Sequence, residues 1–359
     1  MRHLMCVLGI LIAGACLAPM ANDAQAQTGD LPELASVIEQ ITAGRRLQVE
    51  ALRGYLTTLR VLTPDQPSDD LSPKLFAGRE LIVDKCSLSC ASGRYATRTV
   101  EVRLLPERGF EKLEDCLEWS PGDGRAYVLA PGLEAQPLGQ ERIASALIQA
   151  TDLHDGRLYF ADRLQLDLQA VAGPDPTESH PLSGVEDARV AAWQAMTGLD
   201  CLRLECTLPG DPPGTYILWV APDRGWRVVR SEAVYTSASG QWDRVTTCET
   251  SEFRLVGDQQ WVPSLTTRIH FTRPAGAQMP WRAYFASLTI CRDIRAVTTD
   301  SLAFEPLLPN ATLLGGLGVG DPLVGDDTRE LEEAARRGEF PFDLDGPTLK
   351  GDHGRSADR

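Results

Sequence analysis

From Gly78 onward apolar and polar residues alternate along much of the chain. That period marks strands with one buried and one wet face. Over residues 94–104, Ala96, Val100, Val102 and Leu104 fall on one side and Thr97, Thr99, Glu101 and Arg103 on the other. Residues 158–168 repeat the pattern, with Leu158, Phe160, Leu164, Leu166 and Leu168 opposed to Tyr159, Arg163, Gln165 and Asp167. Trp226 to Ser237, Gln241 to Val256, Gln259 to Thr272 and Trp281 to Ile294 read as successive long strands. The links Ala238-Ser239-Gly240, Gly257-Asp258 and Pro274-Ala275-Gly276 are turn formers, so these strands should form an antiparallel meander. In the third, Trp261, Leu265, Ile269 and Phe271 face one way, against Ser264, Thr266, Arg268 and His270. In the fourth, Tyr284, Ala286, Leu288 and Ile290 share a face.

A helical period is confined to a few places. Leu34, Ile38 and Ile41 give an apolar stripe within a helix expected over roughly Leu31 to Gly54, with Pro32 in its first turn. Thr63 to Pro73 reads as a loop. Leu138 to Ala150 is expected to be a short helix, and so is Val185 to Met196, which carries Val190 and Trp193 and is closed by Gly198. Beyond Pro309 the character changes: a Gly- and Leu-rich stretch, a charged short helix over Asp327 to Arg337, and a polar end from Lys350. The organisation expected is a leader over 1–26, a sheet domain over 27–308 and a loosely ordered tail over 309–359.

The leader is a secretory signal peptide in form. Arg2 and His3 are followed by an apolar stretch from Leu4 to Leu17, too short to span a bilayer, and by the small-x-small site Ala24-Gln25-Ala26. Cleavage there leaves a soluble extracytoplasmic chain starting near Gln27; the alternative is a lipoprotein acylated at Cys16, after Ile12-Ala13-Gly14-Ala15. A formal charge of −15 speaks against nucleic acid and against a polybasic membrane patch. Of nine cysteines, Cys6 and Cys16 leave with the leader. Cys86, Cys90, Cys116, Cys201, Cys206, Cys248 and Cys291 remain, an odd number that leaves at least one thiol free, with Cys201 and Cys206 a plausible local disulfide.

No constellation identifies a catalyst. Cys86-x-x-x-Cys90 and Cys201-x-x-x-x-Cys206 lack neighbouring histidines, and the second is too wide for a structural zinc pair, so no metal is expected. Cys248 and Cys291 sit on strands separated by a third, too far apart to bond. His154, His180, His270 and His353 accompany no Gly-x-Ser-x-Gly elbow and no His-Glu-x-x-His, and the glycines from Gly315 to Gly320 lack a following Lys-Ser/Thr. Carboxylate pairs such as Asp152 and Asp155 are the solvated surface of an acidic protein. Trp226, Trp242, Trp261 and Trp281 each stand near a strand start, either plugging the end of a sheet core or lining the mouth of a hydrophobic cleft.

The stretch Tyr216-Ile-Leu-Trp-Val-Ala-Pro-Asp-Arg-Gly-Trp-Arg-Val-Val-Arg230, then Gly240-Gln-Trp and Phe253-Arg-Leu-Val-Gly-Asp-Gln-Gln-Trp-Val-Pro263, completes a layout of leader, amphipathic helix and long meander. That layout resembles the periplasmic outer-membrane lipoprotein carrier (LolA/LolB-like) superfamily, over about residues 31–305 and most closely over 200–295. The resemblance implies an α+β fold, a strongly curved antiparallel sheet (an unclosed barrel) with helices covering its concave face, whose cavity in family carriers holds acyl chains. It implies a non-enzymatic periplasmic protein without cofactor, whose partner is a lipid, another hydrophobic small molecule or a lipidated protein. The alternatives are a protein-interaction or sensor module on the same fold and an exported hydrolase. A curved sheet covered by few helices leaves room over its apolar face, where Trp261, Leu265, Ile269, Phe271, Tyr284 and Leu288 are the expected ligand contacts.

Overall fold

The computed structural model describes residues 30–45, 49–62, 80–91, 94–105, 109–120, 127–129, 136–137, 186–208, 212–237, 240–258, 260–301, 329–340, 343–344 and 346–351. The expected leader, the helix over 138–150, the strand over 158–168 and the loop over 63–73 lie outside them.

The described strands form one antiparallel sheet. They are β1 (Ala51–Leu62), β2 (Glu80–Ala91), β3 (Arg94–Leu104), β4 (Phe110–Ser120), β5 (Tyr127–Leu129), β6 (Gln136–Pro137) and β7 (Glu186–Met196). They continue with β8 (Leu199–Leu208), β9 (Gly214–Ala221), β10 (Arg227–Thr236), β11 (Trp242–Val256), β12 (Gln260–Pro274) and β13 (Arg282–Val297). The order is β6-β5-β4-β3-β2-β1-β13-β12-β11-β10-β9-β8-β7. Two meanders, β1–β6 and β7–β13, are thus joined where β1 pairs with β13. Among the described strands the sheet does not close, and β6 and β7 are its edges. A thirteen-stranded sheet exceeds what stays flat, and the register shifts in β1, β7, β10, β11 and β12 bend it further. The meander expected over 226–294 is present strand for strand.

Helices lie on both faces. Directly opposed residues on neighbouring strands point the same way, so the register sorts the sheet into two faces. Helix α1 (Leu34–Arg45) buries Val37 and Ile41 against Leu202, Leu204, Cys206, Tyr216, Leu218, Val220 and Ala233. This is the helix face. The opposite, tail face carries Leu59, Val83, Val100, Val102 and Leu104, covered by helix α2 (Arg329–Arg336) through Leu331 and Ala335 and by Phe340. Further along it, Val245, Phe271 and Ala283 are packed by Leu344 and Leu349. The segment expected to form a loose tail therefore has parts that complete the core. The reason is its apolar spacing: Leu331 and Ala335 are four apart on one side of an otherwise charged helix.

Two expected helices are corrected. Val185 to Met196 is strand β7, at the sheet edge. Val190 opposes Leu204 and Trp193 opposes Leu202, with a register shift between Val190 and Ala192. The extra residue in the bulge puts two same-face side chains three apart, which imitates a helical stripe. The first helix is shorter than expected, Leu34–Arg45, and Ala51 to Gly54 belong to β1. Gly54 falls at a bulge opposite β13, where a Cβ would stand 3.1 Å from Ile294.

Candidate functional site

The helix face changes character along the sheet. Beneath α1, over β8–β10, it is apolar. Across β11, β12, β13 and β1 it becomes hydroxyl-bearing and cationic, with most of the hydroxyls buried and the arginines half-buried. One row runs Ser231, Cys248, Arg268, Ser287 and Arg60, and the next runs Thr250, Thr266, Thr289 and Thr58. The threonines pair across the strands, Thr250 with Thr266 at 3.1 Å and Thr58 with Thr289 at 3.0 Å. Each pair satisfies one lone pair or proton and leaves the hydroxyls further hydrogen-bonding capacity. Thr250, Thr266 and His270 are 2 %, 4 % and 1 % exposed, so these are interior polar groups.

Five side chains converge beside the edge of the α1 contact. Thr246 and His270 oppose each other on β11 and β12, and the Thr246 hydroxyl lies 2.8 Å from His270 Nδ1. The rings of Phe285 and Tyr284 stand 5.0 and 5.7 Å from the imidazole. Arg244, which opposes Tyr235 on β10 and Thr272 on β12, holds its guanidinium 5.9 Å from the Tyr284 ring. Its Nε is buried and has no hydrogen-bond partner among the described residues. Tyr235 packs in turn against the apolar cluster under α1. An apolar surface and a cationic, hydroxyl-lined one therefore meet at β10 and β11.

At the far end of the same face, Arg60 on β1 binds both Asp84 on β2 and Glu101 on β3, with Nε 2.6 Å from Asp84 Oδ2. Burial pushes the Asp84 carboxyl up to about 6, against the opposing pull of Arg60 and with the help of Glu101, which shares that one cation.

Of the six residues expected to contact a ligand, four share one face and Trp261 and Tyr284 make their contacts elsewhere. Leu265, Ile269 and Leu288 lie on the tail face with Phe271, away from α1, and the space over Ile269 and Phe271 is filled by Leu344 and Leu349. Tyr284 does not share the face of Ala286 and Leu288. His270 opposes Phe285 while Phe271 opposes Ala283, so Tyr284 is the extra residue of a bulge and its ring goes to His270 and Arg244. Trp261 packs under the Arg224 guanidinium, 4.4 Å from its ring centre, beside the Pro222–Arg224 turn. The tryptophans do not line one mouth: Trp226 joins the α1 cluster and Trp281 the tail-face cluster. Alternation put His270 on a polar face and assigned no face to Arg244 and Thr246, so it passed over all three. The signal was present in the runs of threonine and arginine opposite the apolar positions.

The local disulfide is also corrected. Cys201 and Cys206 are five apart on β8 and point to opposite faces, Cys201 against Trp219 and Cys206 against α1, and both are free thiols. Burial pushes each up to about 12, with Asp200 adding to the effect at Cys201 and Glu205 at Cys206. Cys248 and Cys291 carry thiols outside any disulfide, on strands with β12 between them. Among the described residues no group of three His, Cys, Asp or Glu side chains could hold a metal ion, and no helix is long and apolar enough to cross a membrane.

The fold defines an open antiparallel sheet carrying an N-terminal helix on one face. No known family profile matches the chain. Nor does any curated protein sequence. Among solved structures it is similar to a DUF1329 family protein from Desulfovibrio piger, at 11% identity and a TM-score of 0.39, over 77% of this chain and 98% of that one. It is similar to a LolA superfamily protein from Nitrosomonas europaea, at 12% identity and 0.33, over 77% and 99%. A putative outer membrane lipoprotein-sorting protein domain from Vibrio parahaemolyticus stands at 9% and 0.36, over 74% and 92%. The superfamily named by the sequence resemblance is thus among these neighbours, and at such TM-scores the likeness carries no argument about ligand or activity.

Proposed function

We propose that the chain is an exported, non-enzymatic protein that binds a lipid-like amphiphile on the helix face, its apolar part toward α1 and an acidic end at Arg244, Thr246 and His270. One observation carries this reading. The helix face passes from an apolar surface under α1 to a cationic and hydroxyl-lined surface within two strands, and the buried Arg244 Nε stands at that boundary. A half-buried arginine whose Nε is shut off from solvent, beside a set of buried threonines, is costly as ordinary core and well suited to a carboxylate or phosphate head. Native mass spectrometry of the purified full-length protein should show a co-purified lipid, and a fluorescent fatty acid should bind saturably and competably. Arg244→Met should weaken that binding about tenfold, roughly 1.4 kcal/mol, with little change in stability. Leu265→Ala, on the opposite face, should leave it unchanged. Binding lost in Leu265→Ala and kept in Arg244→Met would move the ligand to the tail face. No saturable binding at all would reject the reading. N-terminal sequencing of protein recovered outside the cytoplasm should begin near Gln27.

A further inference from the structure

The tail face holds a buried charged pair with unusual partners, apart from the helix face. Arg230 and Glu232, two apart on β10, point to the tail face and are 5 % and 0 % exposed. Their partners are mostly main-chain groups of the C-terminal segment. Arg230 Nη2 donates to the Thr348 carbonyl at 2.6 Å, and the Lys350 and Gly351 N–H groups donate to the two Glu232 oxygens at 2.8 and 3.0 Å. Arg230 Nε also donates to Glu232 at 2.8 Å, and Arg230 binds Glu249 on β11. Lys350 Nζ stands 3.8 Å from Glu249. Next to this clamp, Leu344 and Leu349 pack on Val234, Val245, Ile269, Phe271, Ala283 and Trp281.

We propose that this surface is a peptide-binding site, occupied in cis by Leu344 and residues 346–351 and able to accept a segment of a protein partner. The chemistry of that segment follows from the occupant: two large apolar residues five apart, then two free backbone N–H groups and a basic side chain. Recognition by a buried Arg–Glu pair is directed at the main chain, so it does not depend on the identity of the clamped residues. A segment that merely filled core would be held by its side chains. Here two fully engaged charged residues of the sheet are spent on the backbone of a stretch more than a hundred residues away in sequence. The tether gives the cis segment a high effective concentration, so an outside peptide competes only when it is in excess or when the cis anchors are weakened.

The test uses the full chain and a fluorescein-labelled peptide with the sequence of residues 343–351. Wild-type protein should show no binding at micromolar peptide. The Leu344→Ala/Leu349→Ala chain should expose its own Lys350 and Gly351 amides to fast hydrogen exchange and bind the peptide at least tenfold more tightly than wild type. Adding Arg230→Met and Glu232→Leu to that chain should reduce binding tenfold or more, and a peptide with the leucines moved to other positions should not bind. As a measurement free of substitutions, millimolar unlabelled peptide should accelerate exchange at Lys350 and Gly351 of the wild-type chain. Persistent protection in the Leu344→Ala/Leu349→Ala chain, or vacated amides without peptide binding, or no acceleration in wild type, would overturn the proposal.

Discussion

Replacing Asp84 by Asn tests the electrostatics of the polar end of the helix face. One guanidinium, Arg60, serves two carboxylates, Asp84 and Glu101, in a largely buried row. Desolvation dominates and raises Asp84 from 3.8 to about 6. A carboxyl whose folded value lies above its unfolded one favours folding when protonated. Its contribution is therefore fully present below pH ~3.8 and lost as the pH rises through about 6. The linkage puts the cost of ionisation at about 1 kcal/mol at pH 4.5 and about 3 kcal/mol at pH 8. Asn cannot ionise, and Arg60 keeps Glu101 as its partner. Relative to wild type, Asp84→Asn should gain about 2 kcal/mol between those two pH values, with the change centred between pH 5 and 6.5. Urea midpoints at pH 4.5, 6 and 8 measure this. A difference that is independent of pH, or a variant that loses ground as the pH rises, would show that the Arg60 ion pair and not burial governs the group, and would refute the reasoning.

Other expectations concern packing and thiols. Gly44→Ala should lose about 1–3 kcal/mol by the same assay, because a Cβ there would stand 2.1 Å from the Gly225 carbonyl oxygen and push α1 off the 222–226 turn. Native protein should leave Cys201 and Cys206 unreactive toward a thiol reagent at pH 8, both appearing only on unfolding, since burial holds them up to about 12. Fast native labelling of either would contradict their burial. Glu232→Ala should cost about 1–3 kcal/mol, because the Lys350 and Gly351 N–H groups and Arg230 Nε lose their acceptor while Arg230 keeps Glu249. A near-neutral Glu232→Ala would show that the pair is not desolvated as the structure has it.

Local pattern determined much of the strand content. From Trp226 to Ile294 the period of two, cut by Gly- and Pro-containing turns, defines four strands and their antiparallel order without any long-range information, because each turn forces the next strand to return beside the last. The apolar stripe of α1 and the short charged helix near the C-terminus were legible for the same reason: an amphipathic face repeats at the helical period. What a period cannot carry is a bulge. Single extra residues disguised β7 as a helix, shifted the register of β13 against β1 near Gly54, and turned Tyr284 from the Leu288 face to His270. Nor can it say which face a helix takes. Alternation divides a strand into two sides, and only the assembled sheet decided that α1 covers the side with Tyr216 and Leu218 while Leu344 and Leu349 cover the side with Phe271. The Arg244–His270 and Arg230–Glu232 groupings belong to that second kind of information. They draw on strands or segments from 19 to 119 residues apart, and what brings them together is cross-strand register and burial, which exist only once the chain has folded.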